Sequence, residues 1–139
     1  MTVTATPIFP QTVQNYVVQI ANADASNSKT IATAGTNGSK IETLVVASSD
    51  TSARDVSFFI TISSTNYLLG TVSIPANSGN TNALPLVDIL RNAQIPGLAY
   101  DANGNKYLYL KNGATLTCTA LTTVTSGKLI SINAMGGDF

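Results

Sequence analysis

The chain has 139 residues, enough for one domain with a single core, and its formal net charge is zero with only 10% charged residues. Its seven basic residues are scattered singly, which excludes the positive surface that binding to nucleic acid or to an anionic membrane requires. With no histidine and a single cysteine, the chain lacks the commonest general base and metal ligand and cannot form an internal disulfide. We therefore expect no catalytic residue, no metal and no cofactor, and a protein that is not an enzyme.

The main periodic signal is the alternation of apolar and polar residues, which is typical of half-buried β-strands. Each alternating stretch is bounded by Gly, Asn, Asp, Ser or Pro, and this pattern predicts an all-β sandwich or barrel of about eight strands. The predicted strands cover residues 12–21, 29–33, 40–48, 54–63, 67–75, 107–111, 115–123 and 128–134.

Two connections and one strand carry further local signals. Residues 63–67, SSTNY, predict a hairpin turn, and in the strand that follows the alternation places Leu68, Gly70, Val72 and Ile74 inward. Gly70 indicates a bend or bulge where two backbones approach closely. Residues 85–91, PLVDILR, place Leu86, Ile89 and Leu90 at helical spacing behind a proline, which predicts one short helix in a connecting loop.

The single cysteine lies in the run ATLTCTALTT at residues 114–123. Strand alternation places Leu116, Cys118 and Ala120 on the apolar face and the threonines between them on the other face. Since no histidine and no neighbouring cation in the sequence would lower the pKa of its thiol, we interpret Cys118 as a small core side chain.

The segment Asp101-Ala-Asn-Gly-Asn105 begins like a calcium-binding loop, because it spaces oxygen-bearing side chains two residues apart. Its glycine stands at the fourth place instead of the sixth, and Asn112 stands where a bidentate glutamate would close the site. We therefore predict a tight hairpin turn here.

The termini contain apolar residues outside the predicted strands. We divide the chain into an extended N-terminal arm at 1–11, a β-sandwich domain at 12–135 and a C-terminal tail at 136–139. Pro7 and Pro10 keep the arm extended around Ile8 and Phe9, and the tail ends in Phe139. Such an arm either docks on a partner or covers its own core, and the first hypothesis nominates Ile8, Phe9, Pro10 and Phe139 as partner contacts.

The first ten residues have neither the basic nor the apolar region of a signal peptide, which predicts a protein kept in a cytoplasm.

Residues 71–120 resemble small structural proteins of tailed bacteriophages, in particular capsid decoration or cementing proteins. The resemblance rests on the strand end IPANSG, the segment PLVDIL, the turn IPGL and the motif D-x-N-G-N-x-Y-L-x-L, followed by the closing GGDF at 136–139. These segments cover about two fifths of the chain.

The resemblance implies a jelly-roll-like antiparallel β-sandwich of about eight strands on the exterior of a virion capsid, assembled in the host cytoplasm. Its partner would be the major capsid protein, whose neighbouring subunits it would cement, and we expect it to self-associate as a homodimer or trimer. The alternative is a jelly-roll module of a tail or fibre that binds a carbohydrate or host receptor, with Tyr100, Tyr107 and Tyr109 lining the binding face.

Overall fold

The computed structural model describes residues 9–139, and these residues form two antiparallel β-sheets that pack face to face. The ten strands are β1 (Thr12–Ala21), β2 (Lys29–Thr33), β3 (Ser39–Ser48), β4 (Arg54–Ile62), β5 (Thr65–Ile74), β6 (Val87–Asp88), β7 (Ala99–Tyr100), β8 (Lys106–Leu110), β9 (Ala114–Ala120) and β10 (Leu129–Asp138).

The strand order is that of a jelly roll. A six-stranded sheet has the order β1-β10-β3-β8-β7, with β6 also paired to β3, and a four-stranded sheet has the order β2-β9-β4-β5. Without the two-residue strands β6 and β7, eight strands remain, and every connection between them crosses from one sheet to the other except the β4–β5 hairpin. The predicted all-β, jelly-roll-like sandwich is confirmed.

The core lies between the two sheets and is built from the inward residues of the alternating strands. Its largest fully buried side chains are Phe58, Ile20, Ile41, Leu44, Ile74, Ile89, Leu110, Leu116, Ile130, Ile132, Val46 and Val56. Cys118 is fully buried among them, and burial raises the pKa of its thiol to about 12. The interpretation of Cys118 as a core side chain is confirmed.

The β4–β5 hairpin turns through Ser63 and Ser64, which have φ values of 51° and 64°. Positive φ at both central residues is the geometry of the type I′ turn, whose twist matches the twist of the two strands. The turn predicted for residues 63–67 is therefore present, although Thr65 already belongs to β5.

Strand β5 contains the irregularity that Gly70 predicted. The pairing with β4 shifts between Phe58↔Gly70 and Phe59↔Leu68, so that Leu69 is the extra residue of a bulge. A β-carbon on Gly70 would lie 2.7 Å from the carbonyl oxygen of Gln94, which requires glycine at this position. Because the bulge reverses the alternation, Leu69 packs against the core while Leu68 is 61% exposed, and the inward placement of Leu68 is wrong.

The short helix predicted at residues 85–91 does not form. Val87 and Asp88 pair with Val46 and Val45 of β3, and the backbone N–H of Ile89 donates to the carbonyl oxygen of Leu44 at 2.8 Å. Ile89 and Leu90 are buried as consecutive residues, whereas Leu86 is exposed. In the described part of the chain, the only helical element is a 3-10 turn at Asn22–Asp24.

The buried Asp50 and the half-buried Arg54 form an ion pair, and hydrogen bonds of Asp50 join the β3–β4 connection to the β9–β10 connection. Asp50 is fully buried, and its carboxylate accepts hydrogen bonds from Arg54 Nε at 2.8 Å and from the backbone N–H of Thr125 at 2.9 Å. Burial by itself raises the pKa of Asp50, but the hydrogen bonds from Arg54, Thr125 and Ser52 outweigh this effect and hold the pKa well below its usual range.

We expect the ion pair to make the fold sensitive to acid. Since the pKa of Asp50 is lower in the folded state than the ordinary value of about 3.9, its contribution is complete above that pH and is lost as the pH falls below it. Asp50→Asn should lower the free energy of unfolding at pH 7 by about 3 kcal/mol and should flatten its decline between about pH 5 and pH 3. Urea unfolding at several pH values measures both effects.

Asp55→Asn, at an exposed position on β4, is the matched control and should change little. An Asp50→Asn variant with the stability and pH dependence of the parent would contradict the role assigned to the ion pair.

Candidate functional site

Three of the four predicted partner-contact residues are described, and they lie where residues 9–11 meet the end of β10. Phe9 is 67% exposed, Pro10 is exposed and Phe139 is half-buried, while Ile8 lies outside the described residues. The backbone N–H of Gln11 donates to the carbonyl oxygen of Asp138 at 2.7 Å, which ties the arm to the strand end. The structure thus brings the described end of the arm and the C-terminal residues to one corner of the sandwich.

A groove opens at this corner, and we call it the corner groove. It is lined by Gln11, Asn37, Tyr109 and Phe139 and has a volume of about 610 Å³. The ring centroids of Tyr109 and Phe139 are 5.9 Å apart with their planes tilted by 51°. Asn37 Nδ2 donates a hydrogen bond to the carbonyl oxygen of Phe139 at 3.3 Å, which helps to fix the position of Phe139 in the groove. None of the four lining residues carries a charged side chain, which makes the groove apolar and aromatic with amide groups at its edge.

The corner is held together by the carboxylate of Asp138. It accepts hydrogen bonds from the hydroxyl of the fully buried Ser39, from Tyr16 Oη at 2.7 Å and from Gln14 Nε2 at 2.9 Å. The Ser39 and Tyr16 hydrogen bonds lower the pKa of Asp138 against the opposing effect of burial. These donors come from β1 and β3, so Asp138 joins three strands and has a structural role in the corner.

Two glycines let β10 enter this corner. A β-carbon on Gly136 would overlap the carbonyl oxygen of Lys40, and one on Gly137 would lie 2.7 Å from the carbonyl oxygen of Thr12. The pairing with β3 shifts between Met135 and Gly136, which indicates a bulge at the same point. Residues 136–138 belong to β10, and the tail predicted at 136–139 is wrong because the closing GGD segment is built into the sheet.

The three tyrosines of the predicted binding face do not share a face. Tyr107 and Tyr109 alternate with inward residues on β8 and have ring centroids 4.8 Å apart. Tyr100 is paired with Lys106, whose side chain points to the opposite face of the sheet from those of Tyr107 and Tyr109. Because paired residues share a face, the side chain of Tyr100 also lies on that opposite face. Only Tyr109 reaches the corner groove.

A second, charged cleft lies beside β8 and has a volume of about 300 Å³. Its basic side chains have local partners: Lys40 is 3.2 Å from Glu42, and Arg91, which is exposed, is 3.0 Å from Asp88. An exposed pair such as Arg91 and Asp88 contributes little to stability. The cleft is lined by Lys40, Glu42, Thr43, Arg91, Asp101, Asn105, Lys106 and Tyr107.

Asp101, at the edge of the charged cleft, accepts the backbone N–H groups of Asn103 and Asn105 at 2.9 and 2.8 Å. These bonds close the turn between β7 and β8, so the hairpin predicted at residues 101–105 is confirmed.

Within residues 9–139, no three side chains of His, Cys, Asp or Glu are grouped so as to hold a metal ion. The same residues include no helix long and apolar enough to cross a lipid bilayer.

We expect Gly136→Ala to disrupt the corner. The added methyl group can be accommodated only if β10 moves away from the backbone of β3, and we expect a loss of about 2–3 kcal/mol in the free energy of unfolding. Thermal and urea unfolding provide the measurement. Gly97→Ala is the matched control, because a β-carbon there meets no atom within 4 Å. Equal stability of the two variants would show that β10 does not need glycine at position 136.

Comparison with known proteins adds no further assignment to this geometry, since no protein-family model matches the chain and no curated protein matches it significantly.

Proposed function

We propose that the protein is a virion structural protein that binds the outer surface of an assembled phage capsid and cements neighbouring subunits of the major capsid protein. The observation that carries the proposal is the exposed aromatic residue Phe9, which the arm presents beside the corner groove. The resemblance of residues 71–120 to capsid decoration proteins supports it, as does a jelly-roll sandwich with few charged residues. In this role the protein is not an enzyme, and its place is the capsid exterior.

The geometry of residues 9–11 suits a docking element. The side chain of Gln11 donates to the carbonyl oxygen of Phe9 at 2.8 Å, while its backbone is bonded to Asp138. Phe9 is therefore held close to a rigid strand end, so that less conformational entropy is lost when a partner covers it. Burying an exposed phenylalanine in a partner contributes roughly 1.5–3 kcal/mol, which is the range of an interface anchor.

A cementing protein needs no bond chemistry, because it acts by mass action. Binding only to the assembled shell stabilises that state by RT ln(1 + [L]/Kd) at each site, which is about 2.7 kcal/mol when the free protein is at 100 times its Kd. Repetition over the many equivalent sites of a shell multiplies this contribution.

The direct test mixes the purified protein with phage capsids that lack it and sediments the mixture through a density gradient. Saturable, stoichiometric binding together with a higher melting temperature of the particles supports the proposal. Absence of binding to both immature and expanded capsids would overturn it.

We expect Phe9→Ala to weaken binding to capsids about five- to tenfold, which corresponds to the loss of about 1 kcal/mol or more from an apolar anchor. Occupancy measured against protein concentration in the sedimentation experiment gives the Kd. Leu121→Ala is the matched control, because Leu121 is 51% exposed and follows the end of β9 that lies away from the corner. Equal affinity of Phe9→Ala and the parent would remove the arm from the interface.

The corner groove supports a second candidate function, the binding of a carbohydrate by a tail or fibre module. Aromatic rings stack on the apolar faces of sugar rings, and amides such as Asn37 and Gln11 pair with hydroxyl groups. Because the chain has no tryptophan, tyrosine fluorescence can report binding directly. Saturable binding of a glycan that is lost in Tyr109→Ala would favour this function, and a flat response across a glycan array would exclude it.

A further inference from the structure

The first strand has a long free edge. β1 pairs with β10 over all ten of its residues, in an unbroken register from Thr12↔Asp138 to Ala21↔Leu129. In the described part of the chain, no strand pairs with its other edge. The outward N–H and C=O groups along that edge can therefore pair with another strand.

The edge strands β2, β5 and β7 are protected in ways that β1 is not. β2 has five residues, begins with Lys29 and is irregular in its pairing. β5 contains the bulge at Leu69, and Gln94 and Ile95 pack against Gly70. β7 has two residues. Short length, an edge lysine, a bulge and a covering loop are the devices by which proteins prevent pairing at sheet edges.

The residues of β1 include none of these devices. Its sequence TVQNYVVQIA contains no charged residue and no proline. On the outer face, Val13 is 85% exposed and Val17 is 66% exposed, and Met135 on the neighbouring strand is also exposed. An uncharged, regular strand with exposed β-branched side chains favours pairing with a further strand.

The inner face shows that the sandwich is open along this edge. Tyr16 and Val18 point toward the core but are only half-buried. Their partners across the ladder, Ala134 and Ile132 on β10, are fully buried. The incomplete burial is therefore confined to the edge strand, and an additional strand beside β1 would cover the two side chains.

We propose that a second copy of this chain pairs with β1 in antiparallel orientation, so that two six-stranded sheets join into one continuous sheet across a two-fold axis. A two-fold contact brings the same strand from each copy together. Because β1 has no charged residue, pairing of the two β1 strands places no like charges opposite each other. A ten-residue strand is about 34 Å long, and the contact surface along its edge would be roughly 20 Å high. Such a contact would bury roughly 700 Å² on each copy, close to the ~800 Å² per partner of a stable interface.

This proposal does not depend on the capsid. A dimer that fails to bind capsids would remove the proposed cementing function and leave the β1 interface in place. Conversely, a monomer that binds capsids would leave the cementing function and remove this interface.

The experiment measures the mass of the full-length protein by sedimentation velocity and by light scattering over a range of concentrations. We expect a dimer for the parent and a Kd for dimerisation raised about tenfold or more in Val17→Lys, since each dimer then carries two lysines at the paired edge. Leu68→Lys is the matched control, because Leu68 is equally exposed on the protected edge strand β5, and its Kd should match that of the parent. Circular dichroism and thermal unfolding confirm that both variants fold.

Hydrogen exchange locates the interface. In a dimer of this kind, the protection of β1 amides increases with protein concentration, whereas an unpaired edge strand exchanges about half of its amides rapidly. A monomer at all concentrations overturns the proposal, and so does a dimer that persists in Val17→Lys without protection of β1. A monomer whose β1 amides are protected, and lose that protection when residues 1–8 are deleted, would assign the edge to the chain's own arm and would also overturn it.

Discussion

The position of β10 in the middle of the six-stranded sheet is the constraint on which the rest of the fold depends. β10 pairs along its length with β1 on one side and with β3 on the other, although the paired residues are about 80 to 125 positions apart in sequence. The sheet therefore cannot close until residues 129–138 are in place. Two features of the strand end allow β10 to lie between these strands. Gly136 and Gly137 leave space for the neighbouring backbones, and Asp138 accepts hydrogen bonds from side chains of both flanking strands.

The alternation of apolar residues was sufficient to predict most of the fold. The bounds of β1 and β2 agree with the predicted ranges, and the burial of Cys118 follows from its place in an alternating run. Two of the wrong predictions, the inward placement of Leu68 and the helix at 85–91, have one physical cause, because in both places long-range pairing overrides the local pattern. At Leu68 the bulge reverses the alternation, and at residues 87–88 hydrogen bonds to β3 replace a helix that only three apolar residues supported.

The candidate site could be predicted only in part. Proline spacing and the apolar residues outside the predicted strands were enough to nominate Phe9 and Phe139, and the structure places both in the same corner region. The carboxylate network could not be found in the sequence, since Asp138 meets Ser39 and Tyr16 across about 100 or more residues. The only local signal was the pair of adjacent glycines before Asp138, which in a strand indicates close approach of another backbone.

The burial of Cys118 has a practical consequence for chemical labelling. A thiol that is fully buried and has a pKa of about 12 stays protonated and out of reach of reagents in the folded protein. Since the chain has no other cysteine, one introduced on an exposed loop would be the single reactive thiol, without any need to remove the native residue. A fluorophore, spin label or peptide could then be attached at one chosen point, and the native cysteine would react only when the sandwich opens.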